Sequence, residues 1–128
     1  HKIQVTTIGV SSGAYAALLY GQLAPVDQVI AISALTGRDV DDFDPKWHAQ
    51  IIDPAQPDMD DLRKYFAQGP RPKVQAFISD SYPTCTLDRQ MCTRINIPDE
   101  CITLVPGFEH GALARGMRDL GMFKELFG

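Results

Sequence analysis

The 128-residue chain is predicted to be an α/β domain, a mostly parallel sheet of about four strands with helices on both faces. Three observations predict it. β-branched runs alternate with helix-length runs along the whole chain. Each strand-like run ends in turn residues. The second such run, residues 26–34, is apolar nearly throughout, which suits a strand covered on both faces.

The elements follow in order. Residues 2–10 (KIQVTTIGV) are rich in β-branched side chains and stop at a glycine turn, so they read as a strand. Residues 12–23 (SGAYAALLYGQL) are apolar almost all round, which reads as a buried helix stopped by Pro25. Residues 26–34 (VDQVIAISA) form the second strand. Residues 35–69 are the least regular region, an insert or lid with several acids and three prolines. Short helical turns are expected there around Trp47 and Ile51. A helix is expected over 59–68, with an Asp-rich first turn and Gly69 past its end. Residues 73–79 (KVQAFIS) are the third strand, and 80–86 a loop containing Pro83. Residues 87–95 (LDRQMCTRI) read as a short helix, and 101–105 (CITLV) as a fourth strand ending at Pro106-Gly107. Residues 112–127 close the chain as one amphipathic helix. No repeat or linker interrupts this order, so residues 1–128 are read as a single domain.

Composition narrows the function classes. Hydrophobic residues make up 45% and charged residues 22%, as in ordinary soluble globular proteins. The net charge is -4 and no Lys/Arg cluster exists to neutralise phosphates, which weighs against nucleic acid. No apolar run approaches the roughly 20 residues that span a bilayer. Cys85, Cys92 and Cys101 are odd in number and include no C-x-x-C pair, and His1, His48 and His110 stand far apart. No zinc site, other metal or cofactor is therefore expected. The cysteines read as free thiols in a reducing, cytoplasmic compartment. The acidic run Asp39, Asp41, Asp42 and Asp44 lacks calcium-loop spacing and reads as a solvated loop, with His48 beside it as another loop residue. Trp47, Tyr82 and Phe108 could line a pocket, but aromatics beside a sheet edge more often serve packing.

In a parallel sheet, ligands bind beyond the carboxyl ends of the strands. That rule selects Ser11 after the first strand, Asp80 and Asp88 after the third, and His110 after the fourth. Gly9-Val10-Ser11-Ser12-Gly13 fits the pattern G-x-S-x-G between a strand and a helix. A serine at so sharp a turn needs tiny neighbours two positions before and after it. The helix that follows points its first amides at the same spot, and the N–H of Ser12 can stabilise an oxyanion there. A serine hydroxyl needs a base, for which His110 is placed. The histidine needs a carboxylate, and either Asp88 or Asp80 could supply it. Each has a plain alternative: Asp88 as an acid near a helix N-terminus, Asp80 as a turn residue. A dinucleotide-binding reading fares worse, because the turn is not G-x-G-x-x-G and no phosphate-binding lysine follows.

These segments resemble the C-terminal half of an α/β-hydrolase. The resemblance rests on IGVSSGAYAALLYG, VDQVIAIS, KVQAFISDS with LDRQMCTRI, and CITLVPGFEHGALARGMRDLG, and so covers essentially the whole chain. It implies a partial α/β-hydrolase fold and a serine hydrolase that cleaves an ester, thioester or similar acyl bond in a small-molecule substrate. By resemblance Ser11 is the nucleophile and His110 the base. The acid matches less closely. Tyr82 stands at the family's usual position, and similarity of LDRQMCTRI to a helix in some bacterial members favours Asp88 over Asp80. The resemblance also implies further strands ahead of the first, carrying the second oxyanion donor. A chain without them is expected to leave an apolar sheet edge unpaired, and to associate with itself or with a missing N-terminal half. A non-catalytic scaffold or partner-binding module of a larger protein is the alternative.

Overall fold

The computed structural model describes residues 3–37, 60–82, 84–108 and 110–127. Four strands lie side by side in sequence order: β1 (Thr6–Val10), β2 (Gln28–Ile32), β3 (Lys73–Ser79) and β4 (Ile102–Val105). Every pairing is parallel, with Val10 beside Ile32, Ile32 beside Phe77, and Ser79 beside Val105. All four carboxyl ends therefore meet on one edge.

Helices cover both faces, as expected. Helix α1 (Ser12–Leu23) and helix α2 (Thr84–Thr93) pack on one face. Ala14, Ala17, Leu18 and Cys92 there join Val29, Ala31, Ala76 and Ile78 in one buried cluster. On the other face, Leu113 and Met117 of α3 (Leu113–Asp119) bury Ile30, Ile32, Phe77 and Val105. Helix α4 (Met122–Phe127) adds Phe123 and Leu126 beside them. Successive strand residues thus alternate between two apolar layers, and that is why β2 reads as a continuous apolar run.

Several boundaries differ from the sequence reading, each for a local reason. The last helix is two helices, because the chain turns at Gly121, where φ is +75°. Glycine takes that left-handed conformation at little cost. Helix α2 begins at Thr84, three residues early, since the Ser81 carbonyl accepts the Cys85 N–H at 2.8 Å and closes a first turn inside the expected loop. Of the helix expected over 59–68, the described residues 60–68 form only a 3-10 turn at Leu62–Lys64. Its N-cap is Asp61, whose carboxylate accepts the Arg63 N–H at 2.9 Å. Leu62 and Phe66 are buried in the α1 cluster, and the rest of the segment follows the surface. The turns expected around Trp47 and Ile51, His48 and the acidic run 39–44 lie outside the described residues.

Helix α1 has no basic residue in its last turn, and Arg71 supplies one from a distant loop. Its guanidinium donates to the Gly21 carbonyl at 2.7 Å, to Gln22 O at 3.2 Å and to Ala24 O. These are the carbonyls a helix leaves without partners, at the negative end of its dipole.

Candidate active site

Ser11 joins β1 to α1, and its backbone lies at φ 56° and ψ -114°. A non-glycine residue in such a region costs about 1–3 kcal/mol and persists only where its surroundings fix it. Here they do. Ser11 donates its N–H to Ile32 O at 2.9 Å, and its carbonyl accepts from Ala14 at 3.1 Å, Tyr15 at 3.2 Å and Leu35 at 3.4 Å. The turn is thus held by the start of its own helix and by the end of β2.

Gly9 makes the turn sterically feasible. A Cβ there would stand 2.0 Å from the Gly13 carbonyl oxygen and 2.6 Å from the Ala14 nitrogen. Gly13 is different, and this corrects the sequence reading. A Cβ at Gly13 would meet nothing within 4 Å, so only the position two before Ser11 is bound to be tiny. Ser12 is the first residue of α1. First-turn amides have no acceptor within their own helix, so the Ser12 N–H has the position expected of an oxyanion donor.

The end of β2 braces the serine. Ser33 is buried, lies at φ 50°, and donates its N–H to Phe77 O at 2.9 Å. This left-handed step turns the chain so that Leu35 reaches back to Ser11 O. Thr36 then ties the same loop to α2, donating its hydroxyl to Met91 O at 2.9 Å. Nothing in the sequence ISA marks Ser33 for this task.

Asp88 lies on α2 three residues before Met91 and is fully buried. With α2 beginning at Thr84, Asp88 falls beyond the first turn, which contains no acid. The helix-end explanation for this aspartate therefore does not apply. Its negative charge is felt by Cys92, one turn on: burial, with Asp88 adding and Arg89 opposing, pushes that thiol up to about 12.

Asp80 follows β3 directly and is exposed. Its N–H donates to Val105 O at 3.2 Å and its Oδ1 accepts the Gly107 N–H at 3.1 Å. Next to it, the buried Ser79 hydroxyl donates to Phe108 O and accepts the Ser81 N–H at 3.0 Å. His110 opens a 3-10 turn, His110–Ala112, two residues past Phe108. The structure thus brings the Asp80 and His110 loops together, and brings α2, with Asp88, against the loop that braces Ser11. Tyr82 is 84% exposed, whereas Phe108 packs on the α3 layer. Trp47 lies outside the described residues.

A cleft of about 390 Å³ opens on the outer side of α2 beside β4, lined by Asp80, Cys85, Arg89, Gln90, Asp99 and Leu104 among others. Ser11 is not among its lining residues, so it is not the pocket of an acyl group bound at that serine. Among the described residues no cluster of His, Cys, Asp and Glu could hold a metal, and no helix is long and apolar enough to cross a membrane. All three cysteines are free, with Cys92 buried and Cys85 and Cys101 half-buried. Compared with known proteins, the chain matches no family model, no curated protein and no solved structure.

Proposed function

We propose that this protein is a serine hydrolase acting on an ester, thioester or similar acyl bond of a small molecule. The observation that carries the reading is Ser11, a serine held in a strained conformation between a parallel strand and a helix N-terminus, with Gly9 pressed against the helix backbone. Such strain is kept where it serves a site. In the proposed reaction the Ser11 hydroxyl attacks the acyl carbon and His110 takes its proton. The developing oxyanion is met by the Ser12 N–H. His110 then returns the proton to the leaving alkoxide or thiolate, and the acyl group stays on Ser11. Water, deprotonated by His110, attacks the acyl carbon; the bond to Ser11 Oγ breaks, the acid leaves, and His110 returns the proton to Ser11. Asp88 is the acid that orients His110; its burial suits a carboxylate that must hold its partner without competition from water.

The test is hydrolysis of a p-nitrophenyl ester series by the wild type, Ser11→Ala and His110→Ala. Turnover lost in both variants supports the reading. Equal turnover in all three removes it.

One observation favours a second reading, a scaffold or partner-binding module. β1 is an edge strand whose Ile8 and Val10 are 47% and 41% exposed, on the face where their neighbours Ile30 and Ile32 are buried. Unpaired apolar edges invite pairing, with a second copy or with an additional N-terminal half. Sedimentation velocity checks it: a monomer at every concentration counts against self-pairing.

A further inference from the structure

Asp80 and Asp88 both follow β3, and the structure gives them different work. We infer that Asp80 is a positioning residue, a clamp that fixes the loop carrying His110 by accepting the Gly107 N–H, and is not the carboxylate that orients the imidazole. The inference rests on the serine-hydrolase reading and refines the site proposed there.

The clamp is built from both sides. Asp80 donates its N–H to Val105 O at 3.2 Å, extending the β3–β4 pairing by one bond. Its Oδ1 then takes the Gly107 N–H at 3.1 Å. Ser79 continues the seam by donating its hydroxyl to Phe108 O. Residues 79–80 thus grip 105, 107 and 108 in succession, and His110 follows two residues later. Gly107 lies at φ +84°, a conformation that favours glycine and lets the chain fold back over the end of β3. A carboxylate accepting a backbone N–H makes a charge-assisted bond, stronger than a neutral one.

Exposure separates the two acids. Asp80 is open to solvent, where water competes for its oxygens, and one oxygen already holds the loop. Asp88 is shut away on α2, beside the loop that braces Ser11. An amide can replace a carboxylate in a clamp, because its oxygen still accepts an N–H. It cannot replace the orienting acid, because it favours the wrong tautomer of histidine, at a cost of about 10⁴ in kcat.

The experiment compares Asp80→Asn, Asp80→Ala and Asp88→Asn in the full chain. Two readouts are used: p-nitrophenyl ester kinetics and amide hydrogen exchange at Gly107. Asp80→Asn is expected to lower kcat less than about 10-fold. Asp80→Ala is expected to lower it further, with KM little moved, and Asp88→Asn by about 10³–10⁴. Exchange at Gly107 is expected to quicken about 10-fold or more in Asp80→Ala and far less in Asp80→Asn, since only the alanine removes the acceptor. Asp80→Asn falling as far as Asp80→Ala, with Asp88→Asn near wild type, overturns the assignment. Unchanged Gly107 exchange in Asp80→Ala overturns the clamp itself. If the wild type turns over no ester, the serine-hydrolase reading fails, and Gly107 exchange still decides the clamp.

Discussion

Gly116 of α3 lies directly beneath the ring of Phe108: a Cβ built at position 116 would stand 2.4 Å from Phe108 Cδ2 and 2.5 Å from Cγ. A glycine inside an amphipathic helix ordinarily weakens it by about 1 kcal/mol relative to alanine. Here it provides the slot that lets Phe108 pack on Leu113 and Met117 while its carbonyl accepts from Ser79. Gly116→Ala is therefore expected to destabilise the fold by about 1–3 kcal/mol, an overpacking cost that reverses the usual sign. Urea unfolding at unchanged m-value checks it.

The two glycines of the serine turn are expected to part company. At Gly9 the clash is with backbone, which cannot swing aside, so Gly9→Ala should abolish reactivity at Ser11 or prevent folding. At Gly13 there is open space and a helical backbone, so Gly13→Ala should fold as well as wild type or better, by up to about 1 kcal/mol. Thermal melts of the two variants, with circular dichroism at 222 nm, separate these outcomes.

The thiols should react unequally. Burial, the Asp88 charge adding and Arg89 opposing, pushes Cys92 up to about 12, so at pH 8 it holds almost no thiolate. Cys85 and Cys101 are half-buried. Iodoacetamide on the native protein is expected to modify those two and spare Cys92, which reacts after denaturation. Peptide mapping of the alkylated sites reads the difference directly.

Acid sensitivity should run through Asp61. Burial alone would raise its carboxyl. Hydrogen bonds from Arg63, with the charges of Arg94 and Arg63, outweigh that and hold it below the usual range. The Arg94 guanidinium, little exposed, sits 2.5 Å from Asp61 Oδ2. A carboxyl whose folded pKa is depressed stabilises the fold above its unfolded value of about 3.9, and that contribution is lost as pH falls through the folded value. Asp61→Asn should therefore lower the melting temperature at pH 6 and narrow its gap to wild type below pH 3. Melting curves across that range test it.

Much of the architecture was legible because it depends on period and punctuation. The apolar run VIAI marks a strand buried on both faces, and G-x-S-x-G after a strand marks a strained turn. What was not legible depends on distant partners. The chain breaks at Gly121 although MRDLGMFKELF keeps a helical pattern, because an isolated glycine inside a helix and one that ends it look alike in sequence. Helix α2 starts early because Ser81 closes its first turn, and Ser81 reads simply as loop. The roles of Ser33 and Ser79 arise from neighbouring strands, and no local spacing encodes them. Gly116 left a trace too, a glycine within a helical pattern, but its purpose required Phe108 to be placed.

Active-site labelling decides whether Ser11 is a nucleophile. The intact chain is treated with a fluorophosphonate near pH 8, beside Ser11→Ala, and the adduct is mapped by peptide mass spectrometry. One phosphonyl group per chain is expected, on Ser11 and not on Ser12, and none in Ser11→Ala. A chain that takes up no label, or takes it up equally in Ser11→Ala, rules out Ser11 as the nucleophile and favours the non-catalytic module.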